Sequence, residues 1–263
     1  MSVRPKKHLG QHFLWDQNIA RKIVEVAKQT PTRKILEIGP GKGVLTQLLH
    51  PLFKDHFYAV EIDQESVQYL KDQYPEVTKR LVETDFLEMN MRQYFEEPFS
   101  IVGNFPYNIS SQIFFKVLEN KNQIPFVVGM VQKEVAQRIS AHPGSKTYGI
   151  LSVLLQAFYN IKIEFHVGPN SFQPPPKVKS SVITLRRNDT KSLNCNESLF
   201  FRIVKESFNK RRKILKNGLK SFLLNLNIED DRLGQRPEQL TVNDFVEITN
   251  KLEGSTNQKK ERE

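Results

Sequence analysis

Lys34-Ile-Leu-Glu-Ile-Gly-Pro-Gly-Lys-Gly43 carries the clearest architectural signal in the chain. Residues 34–38 read as a short buried strand. Gly39, Gly41 and Gly43 follow, and glycines let a backbone bend sharply and approach a ligand closely. Leu45, Leu48 and Leu49 then recur at helical spacing. A strand, a glycine turn and a helix in this order point to a nucleotide-type pocket, although a tight turn without ligand leaves the same local trace.

Outward from this stretch the alternation continues. Residues 57–62, 80–84, 99–103 and 126–131 read as further strands, and 65–74, 110–120 and 133–140 as helices. Such alternation predicts a parallel sheet covered on both faces. Residues 160–167 and 180–187 read as two late strands around the proline-rich Gln173-Pro-Pro-Pro-Lys177, expected as an antiparallel pair at the sheet's edge. The fold class is therefore α/β, Rossmann-like, with a mostly parallel seven-stranded sheet. Past residue 188 only helical patterns occur, first Phe200, Val204 and Phe208, then Ile214, Leu215, Leu219 and Phe222. The expected division is an α/β domain over 1–187, a small all-α domain over 188–254 and a disordered polar tail over 255–263.

Composition narrows the function classes. The chain has 263 residues, 38% of them hydrophobic, a formal net charge of +10 and a single cysteine, Cys195. It can build a core, so it is not a disordered tail. One cysteine excludes an internal disulfide framework and a cysteine-based metal cluster, and the six histidines show no ligand spacing, so no metal is assigned. The longest apolar stretch, 149–159, contains Gln156 and falls far short of the ~18 residues of a membrane span; it reads as a buried helix. The basic N-terminus lacks the apolar segment of a secretory signal. A cytoplasmic protein with an anionic partner and no membrane is expected.

Two acidic residues stand where a nucleoside would need them. Glu61 ends the second strand, 18 residues after Gly43, where a carboxylate can take both hydroxyls of a ribose. Asp85 follows the third strand and can accept from an adenine amine. Residues 51–100 hold 5 basic and 11 acidic residues. That balance suits a nucleoside cofactor without phosphate and with a positive centre, and S-adenosylmethionine meets both conditions. Taken singly, each carboxylate reads equally well as a solvated strand end.

Gly103-Asn-Phe-Pro-Tyr-Asn-Ile109 follows the fourth strand, at the end of the sheet where open α/β folds place ligands. Pro106 biases Phe105 towards an extended shape. Tyr107 offers a flat face to a base. The adenine amine is a poor nucleophile because its lone pair is delocalised into the ring. Two acceptors gripping its N–H bonds, the Asn104 side-chain oxygen and a main-chain carbonyl near Phe105, favour a more tetrahedral nitrogen with a freed lone pair. Neither a general base nor a metal is required, because the nitrogen loses its proton after the methyl has arrived. Proximity and in-line orientation contribute several powers of ten, and an aromatic face helps the cationic centre. The plain alternative is a proline turn with Asn108 or Ser110 capping a helix.

With these pieces in place, the sequence resembles the small-subunit (16S) ribosomal RNA adenine N6,N6-dimethyltransferases over almost its whole length. The matching pieces are Leu9-Gly-Gln-His-Phe-Leu14, Glu37-Ile-Gly-Pro-Gly41, Val60-Glu-Ile-Asp63, Thr84-Asp-Phe86 and Asn104-Phe-Pro-Tyr-Asn-Ile-Ser110. To these add Gln132-Lys-Glu-Val135, Ser171-Phe-Gln-Pro-Pro-Pro-Lys-Val178, Phe208-Asn-Lys-Arg-Arg-Lys213 and Arg236-Pro-Glu-Gln-Leu240. The resemblance implies a methyltransferase domain that uses S-adenosylmethionine, followed by a helical RNA-binding domain. It implies dimethylation of two adjacent adenines in a hairpin loop near the 3′ end of 16S rRNA, within the assembling small ribosomal subunit, by a monomer. The implied cofactor contacts are His12, Leu14, Gly39, Gly41, Glu61, Asp85, Phe86 and Asn104. Asn104, Pro106 and Tyr107 form the target site, with Phe172 as a second aromatic wall. Two positions depart from the family: residue 12 is commonly Asn and here His, and the residue after Asn104 is commonly Leu and here Phe105.

Residues 186–220 hold 11 basic and 3 acidic residues, including Lys210-Arg-Arg-Lys213, and Lys6 and Lys7 belong to a second basic cluster. Alone, such runs read as solvated faces. Beside a base-modifying site, Lys6, Lys7, Lys210, Arg211, Arg212 and Lys213 are expected to contact RNA phosphates. The target adenine must leave its stack, which costs least in an unpaired loop. Two other readings compete: a large-subunit rRNA adenine methyltransferase conferring antibiotic resistance, and a non-catalytic ribosome assembly factor that keeps the fold.

Overall fold

The computed structural model describes residues 3–224, 226 and 228–260. In chain order its strands are β1 (Phe13–Leu14), β2 (Lys34–Ile38), β3 (Phe57–Glu61), β4 (Leu81–Glu83), β5 (Phe99–Asn104), β6 (Phe126–Gln132), β7 (Tyr159–Val167), β8 (Phe172–Gln173) and β9 (Ser180–Arg187). The helices are α1 (Gln17–Ala27), α2 (Thr46–Phe53), α3 (Gln64–Gln73), α4 (Ser110–Glu119), α5 (Lys133–Ile139), α6 (Ile150–Gln156), α7 (Glu197–Asn209), α8 (Leu215–Gly218) and α9 (Val242–Lys260). The seven-stranded sheet has the order β4-β3-β2-β5-β6-β9-β7. β4, β3, β2, β5 and β6 run parallel, and β9 runs antiparallel to β6. β2 sits between β3 and β5, so the strand order reverses there, and such a switch point opens a crevice at the carboxyl ends of the strands.

Residues 35–38 of β2, 99–103 of β5 and 126–131 of β6 are buried without alternation, as expected for strands covered on both faces. α1 is not legible in the sequence as a distinct helix. Its N-cap is Asp16, whose carboxylate accepts from the backbone N–H groups of Asn18 and Ile19. Its buried stripe of Ala20, Ile23, Val24 and Ala27 joins the core below the sheet. A second sheet, also unforeseen, pairs β1 with β8 antiparallel, with Leu14 opposite Phe172 and Phe13 opposite Gln173.

The chain forms two compact units, Met1–Ala136 with Asn160–Arg187, and Gln137–Tyr159 with Asn188–Glu263. Residues 137–159, expected in the α/β domain, thus group with the C-terminal segment. The physical reason lies in α6. Leu151, Ser152, Val153, Leu154 and Leu155 are all buried, and so nearly all-round an apolar helix must be wrapped by other helices; α7 and α9 contact it. Ring contacts continue this packing, from Phe158 to Phe201, from Tyr148 to Phe208 and from Phe208 to Phe245, with centroids 6.1–6.4 Å apart. The Arg236-Pro-Glu-Gln-Leu240 piece clasps the same segment: the Glu238 carbonyl accepts from the Gly144 N–H at 2.6 Å. α9 runs to Lys260, so residues 255–260 are helical where a disordered tail was expected; 261–263 lie outside the described residues. No described helix is long and apolar enough to cross a membrane.

Candidate functional site

A cleft of about 830 Å³ opens at the carboxyl ends of β2, β3 and β5. Its walls include Gly39, Gly41, Glu61, Asp85, Phe86, Asn104, Pro106 and Tyr107, and also His12. The sequence reading thus converges on one place. Gly39 and Gly41 have φ of +63° and +55°, a region that side-chain-bearing residues rarely occupy. A Cβ on Gly41 would stand 2.8 Å from the Phe13 ring, so the residue must be glycine for the N-terminal segment to close over the turn.

Glu61 is 5% exposed. Its Oε1 accepts from the backbone N–H groups of Ile62 and Asp63 at 2.9 Å, and its Oε2 accepts from that of Gly41 at 3.1 Å. An ionised carboxylate has about four acceptor positions, so one remains, on Oε2. Burial pushes its pKa up. The three N–H groups pull against that shift and the nearby Asp63 charge adds to it. Asp85 closes a turn by accepting the Leu87 N–H on Oδ1 at 2.8 Å. Ile62, 48% exposed, lines the same cleft and presents an apolar surface against which a base can lie. Deeper in the fold, fully buried Glu37 accepts the Thr46 hydroxyl at 2.7 Å; burial pushes its pKa up to about 8.

Asn104 ends β5, in register with Met130 of β6. Its Nδ2 donates to the main-chain carbonyl of His12 at 2.8 Å. A carbonyl can only accept, so this bond fixes which end of the amide is nitrogen and leaves Oδ1 as the acceptor. The Asn108 Nδ2 makes the matching bond to the carbonyl of His8 at 3.2 Å. The two asparagines of the motif thereby clasp the N-terminal segment over the loop. Asn108 does not cap α4, whose N-cap is Ile109 without a side-chain bond. His12 serves through its backbone, so its departure from Asn leaves the contact to Asn104 intact. Its Nδ1 bonds to the Pro174 carbonyl at 2.8 Å, and its ring lies 5.2 Å from that of Tyr107. The second departure is absorbed as well. The Phe105 ring is buried over Gly129, where a Cβ would come within 2.5 Å of it.

Three expectations change. Phe172 is 2% exposed, opposite Leu14, and belongs to the buried core rather than to the residues lining the cleft. The ring found against Tyr107 is that of His12. Leu14 is buried too and borders a smaller recess with Gly39 and Asn104. The Lys6 ammonium is engaged by the buried carboxylate of Asp63 and lies 3.5 Å from Glu65, so it ties down the N-terminal segment instead of offering a free cation. Lys7, Lys210, Arg212 and Lys213 are exposed, whereas Arg211 donates to the Lys146 carbonyl.

Sequence reasoning also missed residues. Ser180, fully buried at the start of β9 and opposite Gln132, shares a hydrogen bond with the Tyr107 hydroxyl. Burial pushes the Tyr107 pKa up, partly offset by that bond, so the phenol stays neutral. Only strand pairing brings positions 107 and 180 together. Leu9, Gly10 and Gln11, seen only as part of a motif, line the cleft.

Comparison with known proteins now adds the family. The description "Ribosomal RNA adenine dimethylase" fits residues 3–257. The chain belongs to this family. It is 53% identical over 255 residues to the ribosomal RNA small subunit methyltransferase A of Bacteroides thetaiotaomicron, covering 95% of each chain. The crystal structure of a dimethyladenosine transferase from Plasmodium falciparum superposes with a TM-score of 0.75 at 26% identity, covering 94% of this chain and 98% of that one. That of the 23S rRNA methyltransferase ErmE shares the fold, with a TM-score of 0.64 at 24% identity over 90% of this chain and 99% of that one. The enzyme is an S-adenosylmethionine-dependent rRNA adenine dimethyltransferase. Its cleft fits that cofactor, with a spare acceptor on Glu61, a carboxylate at Asp85 and the apolar Ile62 between the walls of one cavity.

Proposed function

We propose that the enzyme dimethylates N6 of two adjacent adenines in a hairpin loop near the 3′ end of 16S rRNA, within the assembling small subunit, as a cytoplasmic monomer. The observation that carries the chemical assignment is the Asn104 amide, turned by the His12 carbonyl so that Oδ1 is its acceptor. The small-subunit assignment draws on the relative from Bacteroides thetaiotaomicron.

The cofactor supplies an electrophilic methyl group. Glu61 takes one ribose hydroxyl at the open position of Oε2, Asp85 accepts from the cofactor's adenine, and Phe86, Gly39 and Gly41 line its bed. The target adenine, drawn from an unpaired loop, stacks on Tyr107. One N6–H donates to Asn104 Oδ1 and the other to a main-chain carbonyl of the 104–107 loop. Both bonds localise the lone pair on N6 and aim it across the cleft. The Asn104 amide is neutral and does not take the proton, which leaves to water from the methylated, cationic amine. Lys7, Lys210, Arg212 and Lys213 hold phosphates and set affinity rather than base choice.

The test is transfer of labelled methyl groups to unmethylated small subunits, with mass-spectrometric mapping of the product. Two dimethyladenosines at neighbouring positions of 16S rRNA are expected. Label only in large-subunit rRNA would move the assignment to the resistance class. Subunit binding without transfer would make the protein an assembly factor.

A further inference from the structure

Trp15 is the protein's one tryptophan, and it is 59% exposed. A tryptophan buries more apolar area than almost any other side chain, so an indole left in water is a candidate contact surface. This one is not on a loose tip. Its backbone N–H donates to the Ser171 carbonyl at 3.0 Å, continuing the β1–β8 pairing, and Asp16 beside it caps α1 and accepts the Ser171 hydroxyl at 3.0 Å.

Alternation along the extended segment puts Trp15 on the side of Phe13, while Leu14 between them turns into the core. Phe13 lines the cleft and has the Lys42 ammonium 5.2 Å from its ring centre. Three residues back, His12 lies against Tyr107. Three residues of extended chain reach at most ~10 Å. Stacked nucleotides of one strand advance ~3.4 Å each, so about three of them cover that span. Lys177 and Lys179, both exposed, lie just before Ser180, which holds Tyr107. An exposed flat ring three residues along the chain from a base-binding cleft, on a segment paired with β8, which leads into the exposed Lys177 and Lys179, has the composition of a single-strand stacking platform.

We propose that Trp15 stacks on an unpaired base of the substrate RNA within about three nucleotides of the target adenine, a second base site beside the methylation pocket. The site selects for an open single strand, because every base has a face but only an unpaired one can lie on the indole. This inference rests on the RNA-methylating reading above.

The experiment compares wild type, Trp15→Phe and Trp15→Ala. Binding to unmethylated small subunits, methyl transfer and S-adenosylmethionine affinity are measured for each. Alongside, the emission of the lone tryptophan is followed while an end-labelled RNA hairpin with adjacent loop adenines is titrated in and its binding read by anisotropy. The expected result is quenched Trp15 emission as the hairpin binds. Subunit affinity should fall about tenfold in Trp15→Ala, stay close to wild type in Trp15→Phe, and leave cofactor affinity unchanged. Wild-type-like subunit binding by Trp15→Ala, or unaltered emission at hairpin saturation, overturns the platform and leaves the enzymatic reading standing. Failure of wild type to methylate or bind subunits overturns both.

Discussion

The cleft of the α/β unit and the basic loop of the helical unit handle polar groups in opposite ways. In the cleft the key polar side chains are held by hydrogen bonds within the protein, several of them to residues distant in sequence. Asn104 is held by the His12 carbonyl, Glu61 by three backbone N–H groups, and Tyr107 by Ser180. At 210–213, Lys210, Arg212 and Lys213 stand exposed, and Arg211 alone is bonded back to the protein, at Lys146. The contrast follows from where precision is needed. A reacting nitrogen must meet acceptors of fixed direction, so those acceptors are preorganised. A phosphate backbone is a line of charge that a mobile ammonium meets from many directions, so the lysines need no anchoring.

The largest effect that tests this contrast is expected from Asn104→Ala. Methyl transfer should fall by about 10²–10³-fold, the cost of removing one preorganised polar group at a reacting centre, while the protein stays folded with a small drop in melting temperature from the lost bond to the His12 carbonyl. Label transfer from S-adenosylmethionine measures it, and near-normal turnover would mean that the amide is not the acceptor. Next comes the replacement of Lys210, Arg212 and Lys213 together by alanine. Subunit affinity should drop and its salt dependence flatten by roughly 0.7–0.9 in log–log slope for each phosphate no longer neutralised. Turnover at saturating subunits should be unchanged, since these groups touch no reacting atom. A kcat loss without a change in salt slope would reverse the roles given to the two regions.

A smaller effect tests preorganisation itself. Tyr107→Phe and Ser180→Ala should each lower kcat by about threefold to tenfold, the scale of one hydrogen bond of roughly 0.5–1.5 kcal/mol. The double variant should be no worse than either single one, because both remove the same bond. Additive losses would show that the two residues act separately. The smallest effect concerns Glu37. Its folded pKa of about 8 lies above its ordinary 4.5, so between these values the folded state keeps a proton that the unfolded chain has released. Stability therefore falls as pH rises through that window. Melting curves of Glu37→Gln, which carries no charge to bury, should lose this slope and lie above wild type at pH 9; parallel curves would refute the shift.

Much of the site is legible in the sequence alone. Glycines at 39 and 41, a carboxylate at 61, Asp85 and the Asn104–Tyr107 tetrapeptide each follow a strand, and strand ends in a parallel sheet gather at one edge. What escapes reading depends on pairings between distant segments. Phe172 sits in a recognisable motif and so reads as part of the target site, yet β8 pairs with β1 and turns that ring into the core. Lys6 is basic and so reads as an RNA contact, yet Asp63, 57 residues away in sequence, holds it. Residues 137–159 lie between strands of the α/β domain and so read as part of it, yet an all-round apolar α6 requires helical neighbours.

The parallel sheet, the glycine turn and the residue types that meet a nucleoside and an adenine amine follow from the chain's local pattern. These are local signals, written in periodicity and in the few residues that tolerate a given backbone or chemistry. Folding alone sets which way the Asn104 amide faces, the hold of Ser180 on Tyr107, and the clasp of the N-terminal segment over the cleft by Asn104 and Asn108. Those facts are hydrogen bonds between groups 73 to 100 positions apart in sequence. No pattern within a segment carries the partner of such a bond, because the partner is set by how the sheet orders its strands.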